Sequence, residues 1–146
     1  MSVSKRQRLD AAIAGEVADR PPVALWRHFP VDDQDPSTLT RSVVAYQREF
    51  DFDFVKVTPA SSFCLKDWGS DDRWEGATEG TRTYTHRAID KASDWAALRP
   101  LPADVGQLGE QLDCLEAIIA ELGPDVPVIQ TVFSPLSQAK NLAGQD

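Results

Sequence analysis

The sequence predicts an α/β fold built on parallel strands. Three apolar segments, at 23–26, 52–58 and 128–133, have the composition of buried strands. Amphipathic helical patterns separate them, and crossovers of this length join strands that run parallel. The sheet can be open and doubly wound, or it can close into a (β/α)₈ barrel, which takes about 250 residues. With about three strands, either the sheet is small and open or the chain is the front part of a barrel.

The first predicted helix and the first predicted strand are separated by a proline pair. Apolar residues at helical spacing predict a helix at 5–15, with Ser4 just before it. Pro21 and Pro22 end the helical pattern, because neither has an N–H to donate and the second forces the first out of the α region. The apolar run at 23–26 that follows is typical of a strand buried on both faces.

The second predicted helix has clear signals at its start. Asp35 is a suitable N-cap, and Pro36 suits the first turn. The apolar residues that follow recur at intervals of four, three and four positions, which predicts an amphipathic helix ending near Phe50. A β-branched and aromatic segment at 52–58 then predicts the second strand.

The second half of the chain predicts a hairpin and a return to the sheet. Alternating threonines and two glycines within 74–89 indicate a β-hairpin excursion. Apolar residues at helical spacing predict the longest helix over 108–122, closed by Gly123. The other predicted elements are a short helix at 93–98, a third strand at 128–133 and a last helix at 136–143.

Composition disfavours several classes of function. The chain has 15 Lys and Arg against 23 Asp and Glu, a net charge of −8, so binding to nucleic acid is not expected. No apolar run reaches the roughly 18 residues of a membrane span or forms the core of a signal peptide. The two cysteines and two histidines form no zinc motif, and reduced thiols are expected in a cytoplasmic protein.

Candidate binding residues follow the first predicted strand. Parallel α/β folds carry their working side chains at the carboxyl ends of strands, where this chain has Arg27 and His28. A guanidinium beside an imidazole that titrates near neutral pH suits a small anionic, carboxylate-bearing ligand. Pairing of Arg27 with Asp32 or Asp33 is an equally open structural alternative.

Hydroxyl side chains follow the other two predicted strands. Thr58, Ser61 and Ser62 come after the second strand and Ser134 after the third, where they can bind a polar substrate. Small residues that let a loop turn tightly are the alternative explanation. Cys64 lies in the same loop with no histidine near it in sequence, so packing with its neighbours is favoured over a role as nucleophile.

Three segments together resemble the uroporphyrinogen decarboxylase family. They are DRPPVALWRHF at 19–29, FDFVKVTPASSFCLKDWG at 52–69, and VPVIQTVFSPLSQAKNLAG at 126–144. The resemblance implies that residues 1–146 are the N-terminal portion of a (β/α)₈ barrel domain, truncated at its C-terminus. It implies a cofactor-free enzyme that removes acetate carboxylates from a tetrapyrrole in haem biosynthesis, as a possible homodimer. The segment alone is expected to be inactive.

The resemblance also implies roles for individual residues. Arg27 matches the family's arginine that binds substrate carboxylates and assists proton transfer. His28 stands where the family has glutamine, as a candidate proton donor. Thr58 stands where the family has an aspartate that stabilises a cationic intermediate. The pocket is expected to be lined by residues 58–62.

Two alternatives fit the same residues. The wider superfamily includes cobalamin-dependent methyltransferases that act on small methylated compounds, with zinc held by His and Cys from later strands. In that case zinc and a corrinoid are cofactors whose ligands lie outside this chain. The other alternative is a non-catalytic α/β module that only holds an anionic ligand.

Overall fold

The computed structural model describes residues 3–144, which form four helices, four strands and three short 3₁₀ turns. Over this range no helix is long and apolar enough to cross a membrane. The helices are α1 (Lys5–Ala14), α2 (Pro36–Phe50), α3 (Gly106–Leu122) and α4 (Pro135–Ala143). The strands are β1 (Val55–Val57), β2 (Asp71–Trp74), β3 (Arg82–His86) and β4 (Val128–Gln130), and the 3₁₀ turns are Asp32–Gln34, Phe63–Trp68 and Ala92–Ala97.

Two separate two-stranded sheets organise this mixed α/β fold. β1 and β4 pair in parallel, with Val55 opposite Val128. This confirms that the second and third predicted strands are parallel neighbours, although each is shorter than predicted. β2 and β3 pair antiparallel as the predicted hairpin, which begins at Asp71 rather than at 74.

The predicted strand at 23–26 is wrong. The segment has no regular secondary structure, and a backbone hydrogen bond from the Asp53 N–H to the Val23 carbonyl (2.9 Å) ties it to the chain before β1. The Val23 N–H donates to the Asp53 carboxylate at 2.7 Å instead of to a neighbouring strand, and the two preceding prolines have no N–H. The segment is not buried on both faces either, because Leu25 is 61% exposed and Trp26 52%.

A local cap confirms the predicted start of α2, whereas a distant cap sets the start of α3. The Asp35 carboxylate accepts the Ser37 N–H at 2.9 Å. The residue before α3 provides no side-chain cap; the Asp67 carboxylate accepts the Gln107 N–H at 2.8 Å from 40 positions away. α3 therefore starts at 106 instead of 108. The short helix predicted at 93–98 is a 3₁₀ turn.

α2 and α3 cover one face of the β1–β4 sheet. Both cysteines pack in apolar clusters, which confirms the packing predicted for Cys64. Burial raises the pKa of each thiol. The cluster under α2 and α3 consists of Leu39, Val43, Val44, Val55, Val57, Cys114 and Ile118. The second cluster, between the hairpin and α4, consists of Cys64, Leu65, Ile89 and Leu142.

The opposite face of the β1–β4 sheet is only partly covered. Because strand side chains alternate, Lys56 and its cross-strand neighbour Ile129 point away from α2 and α3. Ile129 is 45% exposed. The Lys56 ammonium lies 3.8 Å from the centroid of the Trp26 ring. The segment at 23–26 therefore flanks this face without pairing as a strand.

A buried ion network joins α1 to the chain before β1. Asp53 is 2% exposed, and its carboxylate accepts hydrogen bonds from Arg8 at 2.7 Å and from Arg20 at 2.9 Å. Arg8 also donates through two nitrogens to Asp19, each at 2.7 Å. Hydrogen bonds from Arg20, from the Val23 N–H and from Arg8 lower the pKa of Asp53 to about 2.

Asp53→Asn should destabilise the protein by about 3 kcal/mol at neutral pH, because Arg8 and Arg20 both lose the buried carboxylate that pairs with them. The folded pKa of Asp53, about 2, lies below its unfolded value of about 3.9. The carboxylate's contribution to stability is therefore complete above about pH 4 and is lost as the pH falls towards 2. Urea unfolding followed by circular dichroism across this pH range measures both effects.

The control for this prediction is Asp113→Asn, which changes an exposed carboxylate in α3. It should change the free energy of unfolding by less than about 0.5 kcal/mol. An Asp53→Asn protein with wild-type stability at neutral pH, or with an unchanged acid dependence, would contradict the stabilising role of the network.

Candidate functional site

The loop after β1 carries two buried hydroxyls without partners. Thr58 is 5% exposed and Ser62 0%, and neither hydroxyl oxygen has a hydrogen-bond partner among residues 3–144. Ser61, between them in sequence, is half-buried. The centroid of the Phe63 ring lies 6.5 Å from that of Phe133, so the loops after β1 and β4 meet at the same end of the sheet. An unpaired buried hydroxyl is costly and marks a place for a ligand or an ordered water.

Ser134, the candidate residue after β4, is exposed and has a structural task. Its hydroxyl accepts the Ser137 N–H at 3.2 Å and caps α4. The hydroxyl hydrogen and a second lone pair stay available for a ligand. Substrate binding by Ser134 therefore stays a prediction.

Arg27 lies over the ring of Phe29, in the segment before the first 3₁₀ turn. Its side chain is exposed, its guanidinium carbon lies 5.2 Å from the centroid of the Phe29 ring, and its Nε donates to the carbonyl of the next residue at 3.2 Å. It lines a cleft of about 340 Å³ together with Phe29, Val31 and Trp74. Neither suggested partner is used for pairing, since Asp33 pairs with another arginine and Asp32 accepts from Ser42.

The hairpin turn holds His28 in place. Gly80 has a φ of +80°, and a Cβ atom built there would lie 2.7 Å from His28 Cγ. Only glycine combines this backbone conformation with so close an approach of the imidazole. The half-buried His28 ring is therefore positioned by the turn between β2 and β3 rather than by its own loop alone.

A buried charged cluster ties the hairpin to the loop that follows Arg27. Arg82 of β3 donates through Nη2 to the Asp33 carboxylate and to the Pro30 carbonyl, the latter at 2.8 Å. Its Nε lies 3.9 Å from Asp72 Oδ1. The side chains of Asp33 and Asp72 are 0% exposed and that of Arg82 is 2% exposed. The cluster brings together one positive and two negative charges away from water.

This cluster is incompletely paired. Both oxygens of Asp72, Asp33 Oδ2, Arg82 Nε and the Tyr84 hydroxyl have no hydrogen-bond partner among residues 3–144. Burial, and then the charge of Asp72, raise the pKa of Tyr84. With the two hydroxyls after β1, these groups account for every unpaired buried side-chain N or O atom found in that range. Such groups collect where proteins bind and react.

The residues at the hairpin were missed by sequence reasoning, which took this stretch as an excursion from the sheet. The threonines at 81, 83 and 85 are exposed, and the residues between them, Arg82 and Tyr84, point inward. The same period of two that indicates the hairpin therefore also indicates which side chains it buries. Their partners Asp33 and Asp72 follow only from the tertiary packing.

The described residues do not fit a zinc site. Among residues 3–144, no group of three or more His, Cys, Asp or Glu side chains is arranged to hold a metal ion. Burial raises the pKa of Cys64, which disfavours the thiolate that binds zinc.

The fold is similar to that of a methyltransferase from Methanosarcina mazei. The two structures align with a TM-score of 0.78 over 98% of this chain, at 20% sequence identity. The chain spans 46% of the length of that protein. The sequence matches no protein-family model and no curated protein. At this level of identity the likeness shows a shared fold with parallel strands.

Gly80→Ala should destabilise the protein by roughly 1–3 kcal/mol more than Gly76→Ala. Both glycines have a positive φ, +80° and +96°, so both variants carry the same kind of backbone strain. Only at Gly80 does the added methyl group meet another side chain, since nothing lies within 4 Å of the Gly76 position. Thermal unfolding of the two variants isolates the contact with His28. Equal losses of stability would show that His28 does not pack on the turn.

Arg82→Met should destabilise the protein by about 3 kcal/mol, because it leaves the buried Asp33 carboxylate without a counter-charge. Hydrogen exchange of the amides at 29–34 should also accelerate, since Arg82 holds this loop to the hairpin. Arg73→Met is the matched control in the same hairpin, because Arg73 forms an exposed pair with Glu75. It should cost less than about 0.5 kcal/mol. Equal losses of stability in the two variants would show that Arg82 does not hold the loop at 29–34 to the hairpin.

Proposed function

We propose that this chain forms the N-terminal part of a (β/α)₈-barrel methyltransferase with its active site at the carboxyl ends of β1 and β4. The fold likeness to a methyltransferase over 98% of the chain carries the proposal. The unpaired buried hydroxyls support it, because Thr58 and Ser62 follow β1 and Tyr84 packs in the same cluster as Phe63 and Phe133, which follow β1 and β4. The substrate class is a small methylated compound.

The incomplete cover of the sheet supports the barrel part of this proposal. A parallel sheet is normally covered on both faces, and α2 and α3 cover one face of β1 and β4. On the other face, Ile129 is 45% exposed. In a closed barrel that face is the packed interior. The protein of similar fold is about twice as long as this chain, which is the length that a closed ring of strands requires.

The side chains of this chain serve binding and orientation in the proposed reaction. Thr58 and Ser62 offer hydroxyls that can donate to or accept from a polar substrate group. The hairpin turn fixes the His28 imidazole through its close approach to Gly80. A corrinoid, when bound, supplies a carrier for the methyl group in cobalamin-dependent members of the superfamily.

The decarboxylase reaction implied by the sequence resemblance has weaker support. The protein of similar fold is a methyltransferase. Thr58 occupies the position of the aspartate that the decarboxylase family uses to stabilise a positive charge, and a neutral hydroxyl cannot supply that charge. Methyl transfer is therefore the reaction we favour.

Two reactions measured side by side on the complete gene product test the proposal. One assay follows the formation of methylcobalamin absorbance from cob(I)alamin and a small methylated amine or thioether, and the other follows CO₂ release from uroporphyrinogen. Methyl transfer above the protein-free rate without CO₂ release is expected. CO₂ release would establish the decarboxylase instead, and inactivity in both assays would favour the non-catalytic anion-binding module.

Thr58→Val refines this test, because it removes the unpaired hydroxyl and keeps the shape of the side chain. It should lower kcat/KM for methyl transfer about tenfold, or about 1.4 kcal/mol. The matched control is Thr85→Val on the exposed face of β3, which should leave kcat/KM unchanged. Equal rates in all three proteins would exclude Thr58 from the active site.

A further inference from the structure

A positive charge lies at the centre of the partly covered face of the β1–β4 sheet. Val55 and Val57 point into the core under α2 and α3, so Lys56 between them points to the opposite face. Its ammonium lies 3.8 Å from the centroid of the Trp26 ring. Trp26 directly precedes Arg27 and His28, so the Lys56 ammonium lies beside the segment that carries these two candidate residues.

Among residues 3–144, the Lys56 ammonium has no carboxylate partner. The ion pairs found among residues 3–144 do not include Lys56, whereas the two buried arginines of this range, Arg8 and Arg82, both pair with aspartates. Among the described residues, the Lys56 ammonium makes a cation–π contact with the Trp26 ring. Such a contact at a partly exposed site contributes about 0.5–1 kcal/mol. A cation that faces the interior of a closed fold needs an anionic partner.

A free hydroxyl lies on the same face. Thr58 follows directly after β1, and the Thr131 N–H still donates to the Val57 carbonyl at 3.2 Å. Strand alternation extended by one residue therefore puts Thr58 on the side of Lys56, about 6.6 Å further along the strand direction. Thr58 is 5% exposed and its hydroxyl has no partner among the described residues. A small molecule can therefore meet an ammonium, a hydroxyl and the Trp26 ring together.

We propose that Lys56, with Thr58 and Trp26, forms the binding site for the anionic head group of a small organic acid. Lys56 supplies the charge, Thr58 donates a hydrogen bond, and the Trp26 ring flanks the apolar part of the ligand. This role differs from that expected for Arg27, whose exposed guanidinium lies over Phe29 instead. The inference rests on the proposed function, because it names the chemical class of the substrate that binds at the carboxyl ends of β1 and β4.

Titration of the full chain with sodium butyrate, followed by NMR at the Trp26 indole N–H signal, tests this site. Trp26→Phe assigns the signal among the four tryptophans. Butyrate should shift it saturably, and 1-butanol, which lacks the charge, should not. Lys56→Met should weaken binding at least tenfold, and Lys56→Arg should retain most of it. Lys140→Met, a matched change at an exposed position of α4, should have no effect.

Three outcomes would overturn the site. The first is that 1-butanol or sodium chloride shifts the Trp26 signal as much as butyrate does. The second is wild-type affinity in Lys56→Met, and the third is loss of binding in Arg27→Met, in which Lys56 is intact. Where Lys56→Met does not fold, Thr58→Val decides, because the proposal expects it to weaken binding several-fold with the charge unchanged. Lys56-dependent binding in a protein without methyl transfer would remove the proposed function alone. Methyl transfer without Lys56-dependent binding would remove this inference alone.

Discussion

The parallel pairing of β1 with β4 is the constraint on which the rest of the structure depends. Strand side chains alternate, so burial of Val55 and Val57 under α2 and α3 sends Lys56 to the opposite face. A shift of one residue in the strand would place the charge in the core and the valines outside. The same pairing brings the loops after both strands to one end of the sheet, where Phe63 lies beside Phe133.

Two buried ion clusters differ in how completely their groups are paired. Before β1, the Asp53 carboxylate accepts hydrogen bonds from two arginines and from a backbone N–H. These hydrogen bonds lower the pKa of Asp53, so the role of this cluster is to stabilise the fold. At the hairpin, Arg82 pairs with Asp33, yet both oxygens of Asp72 stay without a partner among residues 3–144. Buried polar groups are normally paired, so the incomplete cluster leaves groups for a ligand or an ordered water to satisfy.

Local signals predicted the elements that depend on local interactions. Asp35 and the proline after it fix the start of α2 within one turn, and the structure begins the helix there. The start of α3 was placed too late because its cap comes from Asp67, far away in sequence. The segment at 23–26 has the composition of a strand. The Val23 N–H nevertheless donates to the Asp53 side chain, and the periodicity of the sequence does not show this contact.

The sequence by itself determined the helices, the hairpin and the parallel order of two strands, because caps and apolar periods act within one turn or one strand. It also singled out Thr58 and Ser62, through their place after a strand. Only the tertiary structure decided which polar groups meet: Arg82 reaches Asp33 across 49 positions. Such pairings depend on how the hairpin packs against the rest of the fold, and long-range packing leaves no periodic trace in the chain.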